Sequence, residues 1–404
     1  MDDRQLADGF EISRLTRDFL DDPFPTYHAL RRHAPVKRMA DGSVFLTRYA
    51  DVDEVYHDPE RYSSDKTVDF RPAMGDTPLY EHHTTSLVFN DAPYHTRVRK
   101  RLMPAFTPRA LRALQPRVEA VVDEMLDSIA ERGSCDLIRD LASALPVELI
   151  GDMLGIPRPE RAPLRGWSLA ILSGLEPRPT PDQVSNGSDA VEEFKDYLRT
   201  LVARRLDDPD DDDAEVLSKL IGPDEDGEAL SELELLHNCI FLLNAGHETT
   251  TNLIGNGVEA LIRFPGQMRR LRDDPGLIGT AVEEFLRYES SNQIGNRRLN
   301  VDAALGGTEL AAGTYIHMSI GAANRDPAEF ADPDRLDIAR TPNRHLAFGA
   351  GVHACAGMSL ARMEGKVAIG KLVARFRNIE LAGTPERGGR ARFRGFNSLP
   401  LSVR

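Results

Sequence analysis

The chain has 404 residues, 41% of them apolar and 28% charged, with a net charge of −14. That length supports a large buried core, and that acidity excludes a general nucleic-acid binder, which needs a basic surface. No stretch approaches the roughly 18 apolar residues of a membrane span. The acidic start MDDRQLADGF lacks a signal peptide's basic and apolar regions. A cytoplasmic protein is therefore expected. Cys135, Cys239 and Cys355 stand far apart with no CxxC pair, which argues against a disulfide framework or a structural zinc site.

In chain order, MADGSVFLTRY predicts a hairpin: Asp41-Gly42 is a turn signal beside the β-prone Val44, Phe45 and Leu46. From about Tyr94 the pattern is mostly helical. Pro93 suits the opening of a helix, and Leu111, Val118, Val122 and Leu126 recur at helical spacing. The acidic run Asp207 to Asp213 reads as a solvated loop, because the glycine and spaced ligands of a calcium loop are missing. The longest helix follows. Ser231 and Glu234 form a capping box, and Leu233, Leu236, Ile240, Leu243 and Ile254 carry its apolar positions. Phe264 ahead of Pro265 ends it. About 32 residues at the standard rise span roughly 48 Å, enough to cross the whole molecule. Short strand-like runs return at Tyr315 to Met318 and Leu399 to Val403. The expected fold class is mainly α with a small β portion, in one large domain.

The stretch LAFGAGVHACAGMSLARME, Leu346 to Glu364, formally contains the dinucleotide pattern GxGxxG/A. Such a loop should follow a buried strand and precede an acid about 20 residues on. Here RTPNRHLAF precedes it, a poor core strand. A loop that presents a sulfur fits better. Gly349 and Gly351 permit a sharp turn and close approach to a flat ligand, and Cys355 stands where a helix-like run begins, which favours a thiolate. Taken alone, Cys355 also suits a nucleophile, a redox sensor or an inert core thiol.

Phe348-Gly349-Ala-Gly351-Val-His353-Ala-Cys355-Ala-Gly357 resembles the haem-binding loop of the cytochrome P450 family, FGxGxHxCxG, at every defined position. The resemblance implies the cytochrome P450 fold, haem b as cofactor, O2 as co-substrate and Cys355 as the iron ligand. A thiolate ligand favours O–O cleavage. Ala245-Gly246-His247-Glu248-Thr249-Thr250, inside the long helix, resembles the family's oxygen-activation segment. Ala245 would then face the cofactor, Glu248 relay protons and Thr249 hold oxygen and water. A hydroxyl bonded back to its own helix is the plainer reading of Thr249. Glu284-Phe-Leu-Arg287 resembles the family's ExxR, with Arg335 of Asp332-Pro-Asp-Arg335 as third member of a structural network. His95, Arg99, Arg297 and His353 match propionate anchors, with Arg298 competing for the place of Arg297.

By position in the family, Leu87, Val88 and Phe89 should line the substrate pocket with Leu169, Leu172, Leu243 and Asn244. Gln293 and Ile294 follow a polar run, Ser290 to Gln293, where many relatives carry proline after the first serine; Phe396 and Asn397 come from the last hairpin. The implied reaction inserts one atom of O2 into a small or medium, largely apolar substrate, by hydroxylation or oxidative dealkylation. The implied organisation is a single domain over 1–404, about 1–20 being an N-terminal extension, monomeric and with no fused reductase. Electrons would come from a separate ferredoxin with its own reductase, docking on Lys100, Arg101, Arg344, Arg362 and Lys366. The rivals are a peroxide-driven peroxygenase of the same fold, a non-catalytic haem-binding sensor, and a cysteine-nucleophile enzyme without haem.

Overall fold

The computed structural model describes residues 2–207, 216–223 and 227–404; Asp208 to Asp213 of the acidic run lie outside the described residues. Helices make up 59% of the described residues, with a small sheet portion. The central helix, Glu232–Arg263, has 32 residues. Ser231 Oγ accepts the Glu234 N–H at 3.2 Å and the Glu234 carboxylate accepts the Ser231 N–H at 2.9 Å, so two orphan amides are satisfied at once. Phe264 caps the other end. Of the helix's residues, 22 are buried, so it is packed nearly all round. Leu233, in the first turn, faces solvent instead.

Two apolar cores meet this helix in different halves. Leu235, Leu236, Cys239, Ile240, Leu242 and Leu243 belong to one, with the helices Leu164–Ser173 and Pro181–Asp207. Leu253, Ile254, Val258, Ala260 and Leu261 belong to the other, with Ile278–Tyr288 and Met358–Arg375. Between them, Asn244 to Asn252 belongs to neither core. Cys135 and Cys239 are buried thiols, both pushed up to about 12 by burial, and behave as small apolar side chains.

The predicted hairpin is present: Val36–Arg38 pairs antiparallel with Val44–Leu46, and Gly42 takes φ +86° in the turn. The five-stranded sheet runs Val36–Arg38, Val44–Leu46, Tyr315–Ser319, Ile294–Leu299, Tyr62–Ser63. Pro400–Val403 forms the middle of a second sheet, between Ser134–Asp136 and Ile379–Leu381. The ribbon of Glu386–Arg387 and Phe396–Ser398 brings the chain between them back to the central helix.

Glu284 and Arg287 are completely buried and joined by two hydrogen bonds, of 2.8 and 2.9 Å. The remaining Arg287 donors reach the Asn324, Pro333 and Arg335 carbonyls. The third member of the network is Arg340, whose Nε lies 3.2 and 3.3 Å from the Glu284 oxygens. Arg335 does not fill that place: it is exposed and contributes only its carbonyl. The chain folds back five residues later than the resemblance suggests, which aims Arg340 inward.

Glu364 is a second fully buried acid, on the inner face of Met358–Arg375. Burial pushes it up to about 8, opposed by a hydrogen bond with the Thr250 side chain. A carboxyl raised above its unfolded value of 4.5 contributes stability that is complete below that value and is lost as pH rises through about 8. Glu364→Gln is permanently neutral. Its melting temperature is expected to match the wild type near pH 5 and to exceed it increasingly up to pH 8. The gap should open by about 1.4 kcal/mol per pH unit within that window. Equal melting temperatures at pH 8 contradict this.

Candidate active site

Cys355 lies in a loop closed by its N–H donating to the Phe348 carbonyl at 2.9 Å. Gly349 and Gly351 both have φ +65°, and a Cβ on Gly351 would stand 2.1 Å from the Tyr56 carbonyl oxygen, so glycine is required there. The helix begins at Met358 with Gly357 as N-cap. Burial pushes the Cys355 thiol up, while the backbone N–H of Gly357, Arg99 and Arg362 act in the opposite direction. The Phe348 ring lies beside the loop with the Arg362 guanidinium 4.6 Å from its centre.

A cationic cluster faces this loop. Arg99 donates to the Ala354 carbonyl at 2.6 Å, and the rings of His95 and His353 lie 4.0 Å apart. His95 Nε2 is buried without a partner. Burial and the nearby Arg297, His95, Arg99 and Lys66 push His353 down to about 2. Arg297 is the strand residue that faces the cluster, within reach of Asp91 and Tyr56. Arg298 points the other way, onto Asp69. Asp91 also holds Ser64 N–H at 2.9 Å, and stands 4.0 Å from His353. Arg99, Arg297 and the buried Lys66 converge here, and the nearby Asp91 is already held by Ser63 and Ser64. A haem supplies what this edge lacks, two propionates, and the sulfur of Cys355 is the donor its iron accepts. The residues present fit the group.

The central helix opens a space opposite. Ala245 is exposed and Gly246 and Thr249 are half-buried in a stretch that is otherwise buried, so this side of the helix is open rather than packed in core. Thr249 Oγ1 donates back to the Ala245 carbonyl at 2.8 Å, the local bond foreseen for such a residue. Glu248 is buried on another side of the helix. One oxygen is held by Arg390; Oε2 has no partner. Burial pushes Glu248 up to about 7, Arg390 pulling the other way. Arg390 also donates to Glu176 at 2.9 Å. His247 is neutral, pushed down to about 4 by burial, and both ring nitrogens lie near hydroxyls, Ser143 at 2.9 Å and Ser168 at 3.1 Å.

The expected pocket residues do not form one group. Leu87, Phe89, Leu172 and Leu243 share an apolar cluster, with Val88 packed against it and Phe393 added. Leu169, Phe396 and Asn397 instead line a cavity of about 230 Å³ with His247, Glu248 and Arg390. Asn244 contacts His82 at 3.3 Å, and His82 and His237 continue towards Glu81, a buried imidazole chain that the sequence did not suggest. Gln293 is a brace: it donates to the Ser290 carbonyl at 2.7 Å and its oxygen presses on Gly321, where a Cβ would stand 1.8 Å away. Ile294 packs in the N-terminal core with Phe10, Tyr27 and Phe45, away from the pocket, because strand alternation turns it to the opposite face. The expected docking patch is also reduced. Arg362 is paired with Glu283 at 2.7 and 2.9 Å, and Arg101 donates to the carbonyls of Lys219, Leu220 and Gly222. Arg344 and Lys366 are exposed.

Comparison with known proteins agrees with this geometry. The Cytochrome P450 family model matches residues 31–154 and 277–387. The chain is 41% identical over 364 residues to a Vitamin D(3) 25-hydroxylase of Pseudonocardia autotrophica, covering 88% of this chain and 87% of that one. It is 36% identical over 406 residues to the Cytochrome P450 monooxygenase PikC of Streptomyces venezuelae, covering 98% and 94%. Among solved structures, P450BioI in complex with hexadec-9Z-enoic acid ligated Acyl Carrier Protein superposes with a TM-score of 0.90 at 32% identity, covering 96% of this chain and 99% of that chain. No described helix is long and apolar enough to cross a membrane. Loop, cationic edge, fold and relatives agree, and the chain belongs to the cytochrome P450 family of monooxygenases, which use haem b and O2.

Proposed function

We propose that the protein inserts one atom of O2 into a small or medium, largely apolar organic substrate, by hydroxylation or oxidative dealkylation, with electrons from a separate ferredoxin and its reductase. The observation that carries this reading is the cationic edge beside Cys355, where His95 Nε2 is buried without a partner, together with Ala245 and Thr249 left open on the central helix. Cys355 would ligate the iron, and His95, Arg99, Arg297 and His353 would hold the propionates, since guanidinium and imidazole N–H groups donate to carboxylates. The bound haem supplies the oxygen activation.

The chain's own residues do the rest. Phe348 and the glycine turn shield the sulfur from water. Glu248 moves protons: one oxygen is fixed by Arg390, the other is free, and an acid near 7 is available in both forms at neutral pH. Thr249 positions its hydroxyl at the open face. Leu87, Phe89, Leu172, Leu243 and Phe393 give an apolar wall, as small-molecule sites commonly have. The exposed Arg344 and Lys366 mark the side on which the ferredoxin docks.

The test is reconstitution with a surrogate ferredoxin, its reductase and 18O2, against a panel of small aromatics, terpenoids, fatty acids, steroids and macrolides. One 18O atom in a product is expected. Product formed with hydrogen peroxide but not with the ferredoxin favours a peroxygenase, and no product by either route favours a sensor.

A further inference from the structure

The ribbon that closes the pocket carries a cation with no counter-charge. Arg392 is only 8% exposed. Its sole side-chain hydrogen bond among the described residues runs from Nη1 to the Leu175 carbonyl, at 3.3 Å, and its Nε is buried without a partner. Burial lowers its affinity for the proton. The carboxylate beside it is fully engaged: Glu176 accepts Arg390 Nε on one oxygen and the Ala391 and Arg392 backbone N–H groups on the other. A buried guanidinium left without an anion is costly, and a bidentate carboxylate is the partner that best matches its fork.

Its place in the fold is definite. The Arg392 carbonyl accepts the Gln293 N–H at 2.8 Å, which ties it to the strand that carries Arg297. Phe393, the next residue, belongs to the apolar cluster with Leu87, Phe89, Leu172 and Leu243. The Arg392 charge acts on His83, whose ring packs edge-on against Phe70 and Phe89. It also acts on Tyr56, Lys66 and Arg297. Arg392 therefore stands where the apolar wall meets the propionate cations.

The propionates would fall to Arg99, Arg297, His95 and His353 at the Cys355 loop, which would leave Arg392 without an anion from the cofactor. Asp69 is bound to Arg298 and stands 4.0 Å from Lys66. Asp91 holds Ser63 and Ser64. Among the described residues, Glu176, Asp69 and Asp91 each already have a partner, Asp69 through one oxygen only.

Resting on the proposed monooxygenase reading, we infer that the substrate is an apolar molecule bearing a carboxylate, and that Arg392 binds this carboxylate and so fixes which carbon meets the oxidant. The test uses the haem-loaded protein and matched probes: decanoic acid, hexadecanoic acid, 4-phenylbutanoic acid and a steroid side-chain acid, each beside its methyl ester. Binding is read by the haem absorbance shift and independently by calorimetry. At least one acid should bind at least tenfold more tightly than its ester. Arg392→Met should bring that ratio to about one with the ester's affinity little changed, and Arg392→Lys should keep part of the preference. The inference is overturned when no acid outbinds its ester in the wild type, a result that needs no variant to fold. It is also overturned when the preference survives Arg392→Met, or when Arg392→Met loses haem, which assigns the residue to the cofactor. Calorimetry reports acid preference whatever ligates the iron. A protein with a thiolate-bound haem and no acid preference sinks this inference alone, and acid preference without a thiolate-bound haem sinks the functional reading alone.

Discussion

Glu248→Gln is expected to lower turnover by about 10²- to 10⁴-fold, the range general acid–base groups typically supply, while substrate affinity and haem content stay near wild type. Glutamine keeps the shape of the side chain and an oxygen for Arg390, so the central helix and the ribbon should remain in place. What it loses is the proton. Burial holds Glu248 at about 7, and its free oxygen is the only unpartnered one on that carboxylate. The wild-type rate should therefore change with pH around 7, and the variant's profile should be flat there. A larger solvent isotope effect is expected in the variant, since proton supply becomes limiting. An unchanged pH profile in Glu248→Gln would show that protons enter elsewhere, the His247 hydroxyl contacts being the next place to look.

Arg287→Met is expected to cost about 3–5 kcal/mol of stability, the penalty for leaving a buried charge without its partner. Glu284 is completely buried and receives Arg287, Arg340, the Asp337 N–H and Asn343. Removing Arg287 leaves the carboxylate with Arg340 alone as counter-charge. It also frees the Asn324 and Pro333 carbonyls, which Arg287 satisfies at 2.9 and 2.8 Å. The Asn324 side chain in turn holds the Leu346 N–H, at the start of the cysteine loop. Weakened haem retention should thus accompany the loss in denaturant midpoint. Arg335→Met, by contrast, should shift the midpoint by less than about 0.5 kcal/mol, as for an exposed side chain away from such features. Equal losses in the two variants would contradict the placement of Arg340 as third member.

The legible parts of the molecule were those where local chemistry decides. The central helix showed in its capping box and in the proline that follows it. The cysteine loop showed in its glycines, which no other residue replaces at φ +65° against Tyr56. Choices that depend on how the chain returns were not legible. Ile294 was misplaced because a one-residue change of parity moves a strand side chain to the opposite face. Arg335 and Arg340 stand five residues apart in an irregular segment, and neither period nor propensity says which turns inward. Arg390 is 142 residues from Glu248, and no local pattern connects them. Arg392 was hidden for a related reason: nothing in the sequence RARFR tells the arginine without an acid from Arg390, which holds Glu176 and Glu248, and Arg394, which holds Glu289.

The most direct measurement is the absorbance of the reduced, haem-loaded protein under carbon monoxide, for wild type and for Cys355→Ser. Iron held by the Cys355 sulfur requires the strongly red-shifted band of a thiolate haem in the wild type, and its loss together with oxygenation in the variant. A serine variant that keeps both the band and oxygenation, or a wild type that never shows the band, contradicts ligation by Cys355.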